Sequence, residues 1–264
     1  MRYTNDHFLK KKKQGEKTAV LTAYDASFAQ LMENAGVEII LVGDSLGMVV
    51  QGNDSTIPVS IDDMIYHTQC VSHQTQQVLI MADLPFATTY NTELCYHNAA
   101  RLLAEGGAQM VKIEGGQIML DTVQFLTQRS IPVCAHLGLL PQSVYRLGGY
   151  KVQGKKENDA QQILDDAIAM EAVGADMILL ECVPADLAKK ITQAVQIPVI
   201  GIGAGKDCDA QVLVSYDMLG MSLNGSPSFS HNFLADLAKS DGEISIKSAF
   251  EAYVNAVQSG IFPH

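Results

Sequence analysis

From about residue 18 to residue 220, short apolar runs alternate with longer amphipathic stretches, the pattern of strands and helices taking turns around a parallel sheet. Eight runs predict strands, at residues 18–23, 39–42, 78–82, 110–113, 132–135, 177–180, 199–202 and 212–215. Between them, residues 91–107 place Leu94, Asn98, Leu102 and Leu103 near helical spacing before a glycine pair. Residues 160–175 put Ile163, Ala167, Met170 and Val173 on one stripe, with Gly174 at its end. Residues 246–260 read as a closing amphipathic helix.

The predicted strands are continuously apolar, so both of their faces must be covered. Eight such units close into a single-domain (β/α)8 TIM barrel. The open, doubly wound alternative needs a Gly-rich turn after the first strand, but here that strand runs into Thr22, Ala23, Tyr24 and Asp25. No linker or composition break divides the chain, so residues 1–264 are expected to form one domain with a short N-terminal extension and a C-terminal helix. Residues 46–60 and 138–158 are too long and Gly-rich for ordinary βα loops, which predicts lids or substrate walls.

Composition narrows the function. Hydrophobic residues make up 47% of the chain and charged residues only 18%, which excludes disorder. Eighteen basic against 29 acidic residues give a net charge of −11, which excludes nucleic acid as the main partner because phosphate neutralisation needs clustered Lys and Arg. So apolar a chain is expected to hide surface between subunits of a homo-oligomer. The cysteines at 70, 95, 134, 182 and 208 form neither a CxxC pair nor a zinc spacing, and a reducing cytoplasm is expected. The basic N-terminus lacks a following apolar segment, and no run of about 18 apolar residues offers a membrane span. The lysine run at 10–13 is expected to be a solvated helix end.

In a barrel, the C-terminal strand ends converge on one mouth. Those ends carry Asp25, Asp44 with Ser45, Asp83, Lys112 with Glu114, His136 and Glu181. A lone Asp or Ser behind a strand ordinarily caps the next helix; five such positions from different strands ask for more. Acidic groups gathered in one cleft repel one another unless a cation or shared protons compensate. Oxygen ligands without a Cys/His cluster favour Mg²⁺ over Zn²⁺, with Asp44 and Asp83 as ligands and Glu114 close by. Such a site suits a small 2-oxo acid and proton abstraction beside its carbonyl through a metal-stabilised enolate. Glu181 follows an apolar run that would lift its pKa into the range of a general base. Lys112 and His136 are expected to face the developing charge. A Schiff-base role for Lys112 is disfavoured, because neighbouring acids raise its pKa. The stretch GIGAG at 201–205 is a weak phosphate signal and reads better as a tight turn. His67, His73 and His97 fall in helical patterns and are read as surface or packing residues.

These residues lie in blocks that closely resemble the ketopantoate hydroxymethyltransferase family: VGDSLGMVV, DSTIPVSIDDMIYHT, ADLPF, VKIEGG, HLGLLPQSV, LGGYKVQG, LECVPADLA and IGIGAG, all in order. The resemblance runs from Leu21 to Gly220. It implies a Mg²⁺-dependent barrel enzyme of pantothenate synthesis, commonly decameric. Such an enzyme transfers a hydroxymethyl group from 5,10-methylenetetrahydrofolate to 3-methyl-2-oxobutanoate, giving 2-dehydropantoate. Carried over residue by residue, it implies metal ligation at Asp44 and Asp83 with Glu114 nearby, substrate contacts at Ser45, Lys112 and His136, and the base at Glu181. Two positions depart from the family pattern: Tyr216 stands where HDMLG has His, and Ser228 where PKF has Lys. Both lie outside the acidic constellation and bear on folate contacts, subunit packing or barrel closure. A metal-dependent lyase or mutase acting on 2-oxo acids or phosphoenolpyruvate would use the same mouth, and a non-catalytic protein that kept the pocket is a third reading.

Overall fold

A computed structural model describes residues 1–223, 225–239 and 244–263. Its elements in chain order are α1 (Asn5–Gln14), β1 (Thr18–Thr22), α2 (Ala26–Asn34), β2 (Ile39–Val42), α3 (Leu46–Val49), α4 (Ile61–His73), β3 (Leu79–Asp83), α5 (Thr92–Ala104), β4 (Met110–Glu114) and α6 (Leu120–Thr127). There follow β5 (Val133–Gly138), α7 (Val144–Leu147), α8 (Glu157–Ala172), β6 (Met177–Glu181), α9 (Ala185–Ala194), β7 (Val199–Ile202), β8 (Ala210–Leu213), α10 (Ser215–Met218), α11 (Phe233–Leu237) and α12 (Ile246–Gln258). The strands pair in parallel and in sequence order, and β8 pairs back on β1 to close the barrel.

Alternation along each strand sorts side chains into two cores. Val20, Ile39, Leu41, Leu79, Met81, Met110, Cys134, Met177 and Leu179 pack inside the barrel. Their neighbours, among them Leu21, Ile40, Ile80, Val111 and Ile178, face the helices. Helix starts follow from their caps: Asp25 accepts from Phe28 N, Asn91 from Leu94 N, and Ser60 with Asp63 forms a capping box. Gly174, at φ +96°, ends the predicted 160–175 helix as expected.

Three expectations need correction. The eighth strand begins at Ala210 rather than 212, because its second residue is polar yet buried: Gln211, between the inward Ala210 and Val212, faces the outer layer and donates to the Gly205 carbonyl at 3.0 Å. No helix separates β7 from β8; residues 203–209 make the turn. The lysine run is not simply solvated. Helix α1 lies across the N-terminal end of the barrel, Phe8 joins the interior cluster, and Lys11, 8% exposed, pairs with Glu38. Lys12 pairs with Asp209 at 2.9 Å and donates to the carbonyls of Thr192 and Ile197. Among the described residues, no helix is long and apolar enough to cross a membrane.

Candidate active site

Strand parity aims the chemistry. Met81, Met110, Cys134 and Leu179 point into the barrel, so Asp83, Lys112, His136 and Glu181, two residues further along the same strands, point in as well. Register then sets neighbours: Asp83 stands opposite Lys112, and Glu114 opposite His136. Lys112 Nζ lies 3.1 Å from Asp83 Oδ1 and 3.1 Å from His136 Nδ1. An ammonium only donates, so Nδ1 accepts; this network assigns the imidazole proton to Nε2, which faces Glu181 Oε2 at 3.3 Å.

The β2 end supplies the other acid. Asp44 N donates to Asp83 Oδ2 at 3.0 Å, which puts the two aspartates side by side. Gly43 leaves room for the Ser45 hydroxyl here, since a Cβ would sit 2.8 Å from Ser45 Oγ and force it to shift. Ser45 Oγ shares a hydrogen bond of 2.9 Å with the buried hydroxyl of Tyr24. His67 Nδ1 donates to the Tyr24 carbonyl at 2.6 Å, so this histidine packs as the sequence suggests. Asp25, also at a strand end, only caps α2.

Burial dominates the electrostatics. It pushes the Glu181 carboxyl up to about 7, with Lys112 opposing the shift. Burial and then the Asp83 charge push Asp44 up to about 7, against Lys112 and Gln142. Glu114 stands well above the usual carboxylate range, first through burial, with Lys112 opposing and the other acids adding. Burial lowers Lys112, but Asp83, Glu114 and Asp44 outweigh it and hold the ammonium above its ordinary value. Burial and Lys112 keep His136 neutral, well below its usual value.

Asp83 Oδ1, Glu114 Oε1 and His136 Nε2 are buried without an aligned hydrogen bond, the Lys112–Asp83 contact being Coulombic. Each such atom left unpaired costs roughly 1–3 kcal/mol, and three together at one place make a site suited to a polar ligand. The adjacent Asp44 and Asp83 carboxylates suit a hard divalent cation, which commonly binds through one or two carboxylates plus water and substrate. Among the described residues, no group of three or more His, Cys, Asp or Glu forms a ready cage.

Above the acids opens a cavity of about 760 Å³. Asp44, Ser45, Asp83, Lys112, His136 and Glu181 all line it, whereas Glu114 does not. Both long loops contribute, through Met48, Val49 and Thr56 on one side and Tyr150 and Val152 on the other. At Gly138, φ +91°, a Cβ would lie 2.4 Å from the Glu181 carbonyl; Cys182, directly after Glu181, holds a positive φ of 47°. A non-glycine residue in that region stores strain beside the site. The GIGAG glycines have packing reasons: a Cβ on Gly201 would meet Cys208, on Gly203 Phe229, and on Gly205 Ala185. Tyr216 stacks on Phe28 and leans on Tyr24, in the region that closes the barrel; Ser228 lines the cavity.

Sequence reasoning missed Tyr24 and Gln142. Gln142 sits inside a long loop, 98 positions from the Asp44 it bonds, and no local spacing announces such a contact.

A family profile described as "Ketopantoate hydroxymethyltransferase" matches residues 2–264. A Nitrosococcus oceani protein described as 3-methyl-2-oxobutanoate hydroxymethyltransferase is 56% identical over 262 residues, 99% of this chain and 97% of its own length. A protein of the same description from Nitrosospira multiformis is 56% identical over 264 residues, 100% of this chain and 98% of its own. Two solved structures share the fold: phosphonopyruvate hydrolase complexed with oxalate and Mg²⁺ (TM-score 0.61, 14% identity, 80% of each chain) and 2,3-dimethylmalate lyase (TM-score 0.61, 14% identity, 85% of this chain and 82% of the other).

Proposed function

The chain belongs to the ketopantoate hydroxymethyltransferase family, and from that premise we propose that it makes 2-dehydropantoate from 3-methyl-2-oxobutanoate, 5,10-methylenetetrahydrofolate and water, releasing tetrahydrofolate. The observation that carries this reading is the convergence of Asp83, Lys112, His136 and Glu181 on one cavity, in a chain 56% identical to proteins of that description over nearly its whole length. The fold neighbours include a lyase and a hydrolase, and fold alone does not choose a reaction.

Glu181 takes the C3 proton of the 2-oxo acid. A carboxyl near 7 suits this, since half of it is ionised close to neutral pH while it remains a competent proton acceptor. The electron pair spreads toward the 2-oxo oxygen, where the Lys112 ammonium and the Nε2–H of neutral His136 face it. Both C–N bonds that hold the folate's methylene group break: carbon C3 bonds to the one-carbon unit as one nitrogen leaves, the oxygen of water takes the place of the other, and the two nitrogens take up the C3 proton and one proton of that water. Ser45 and Lys112 orient the substrate carboxylate. Asp44 and Asp83 would hold Mg²⁺, with Glu114 behind them. When bound, the cation supplies Lewis acidity that makes the C3–H bond easier to ionise.

Exposed Tyr66, Tyr90 and Ile118 support a homo-oligomer, for which the family resemblance suggests a decamer, and five unpaired cysteines support a reducing cytoplasm. With Mg²⁺ and 3-methyl-2-oxobutanoate but no folate, the enzyme is expected to exchange the C3 proton for deuterium by NMR. Adding methylenetetrahydrofolate should yield 2-dehydropantoate. No exchange with metal and substrate saturating would refute the base and the enolate step; exchange without product would refute the folate donor.

A further inference from the structure

The wall formed by residues 138–158 is fastened to the acids at one residue. Gln142 lies on the short 3-10 turn Pro141–Ser143. Its side-chain amide donates to Asp44 Oδ2 at 2.8 Å and to the Leu84 carbonyl at 3.0 Å, and its backbone N–H donates to Glu114 Oε2 at 3.2 Å. Both side-chain partners are acceptors, so the NH₂ end faces inward and the amide orientation is fixed by its surroundings. One turn therefore joins the ends of β2, β3 and β4. The same segment carries Tyr150 and Val152 to the cavity and is pinned again where Gln153 N donates to the Cys182 carbonyl at 2.8 Å.

The choice of a neutral donor matters. Lys112 already balances Asp83 with a full charge, and a second cation on Asp44 would compete with a metal for the same oxygens. An amide orients the carboxylate and leaves its charge in place. Groups that hydrogen-bond to metal ligands commonly control metal affinity by about 10- to 100-fold.

We propose that Gln142 is a positioning residue that holds Asp44 in its ligand orientation and latches the wall to the acids, so that divalent-cation affinity and wall order depend on one amide. The affinity half rests on the cation reading above; the latch half does not.

The test uses the full chain without substrate. Mn²⁺ binding is measured by electron paramagnetic resonance and calorimetry, and hydrogen–deuterium exchange is followed across residues 142–153 without metal. Gln142→Leu is expected to weaken Mn²⁺ binding about 10- to 100-fold and to speed wall exchange at least tenfold, with α12 protection unchanged as the check on folding. Gln161→Leu, which removes an exposed amide bonded to Asp165 on α8, should change neither. Faster wall exchange with unaltered Mn²⁺ affinity would overturn the coupling, as would tighter Mn²⁺ binding, which would mean that the amide obstructs the cation. A wild-type chain that binds no Mn²⁺ would refute the cation reading, and wall exchange would then decide the latch by itself.

Discussion

The two ends of the barrel treat buried charge in opposite ways. At the N-terminal end the acids that meet the strand starts each hold a partner, although burial still raises Asp176. Glu38 takes His7 and Lys11, and Asp209 takes Lys12 and the N–H of Val199. Asp176 accepts from Val133 N, Glu171 from Gln196 N and Ile197 N, and Glu33 from Gln76, Gln77 and Val78 N. These carboxylates fasten the approaches and first residues of strands, and the backbone donors, against the cost of burial, hold Glu33 below the usual carboxylate range. At the C-terminal end one ammonium serves four acids, two carboxyls are lifted to about 7, and three polar atoms lack aligned partners. Saturated charge fixes the frame; unsaturated charge is kept for a ligand.

That contrast breaks most sharply at Glu181. Glu181→Gln should lower C3 proton exchange by about 10²- to 10⁴-fold, the usual contribution of a general base. The melting temperature, followed by calorimetry, should hold or rise, because the amide has no burial penalty of charge to meet. A variant with normal exchange would move the base elsewhere.

The reverse outcome is expected at the other end. Phe8, 2% exposed inside the N-terminal plug, should cost about 3–5 kcal/mol when cut to Ala. Denaturant melts would show the loss, while exchange per folded molecule stays at the wild-type rate. A drop in turnover equal to that of Glu181→Gln would merge two regions that the structure separates.

The smallest effect is the pH response, and its sign differs between rate and stability. Burial raises Glu181, and in the proposed reaction its ionised form is the base, so exchange should fall about tenfold per pH unit below about 7 and level off above it. For folding, the raised value favours the protonated form. Its contribution is full below about 4.5 and is lost as pH rises through about 7. Glu181→Gln should flatten the acid limb of the rate profile and remove that part of the stability change; a limb that persists belongs to another group.

Much of this was legible in the sequence because buried parallel strands write themselves as apolar runs, and polar residues that interrupt the run ends stand out. All eight strands and the inward acids were visible that way. What stayed hidden was carried by contacts across the fold. Gln211 concealed the start of β8 because its side chain is satisfied by Gly205, and the lysines of α1 read as solvent-facing because their partners lie 27 to 197 positions away. Gln142 and Tyr24 were silent for the same reason, each acting on a residue from a different loop or strand end.

The two-residue repeat that turns Lys112 and Glu114 inward also makes the enzyme intolerant of changes in chain length within a strand. Deleting one residue inside β4 would trade places between Val111 or Ile113 and the charged pair, leaving hydrocarbon where the proposed reaction uses an ammonium. The same deletion near Gly149, where an added Cβ meets nothing within 4 Å, shifts no pleat. A change of length in the rim therefore leaves the facing of every strand residue intact, while the staves are held to a fixed count.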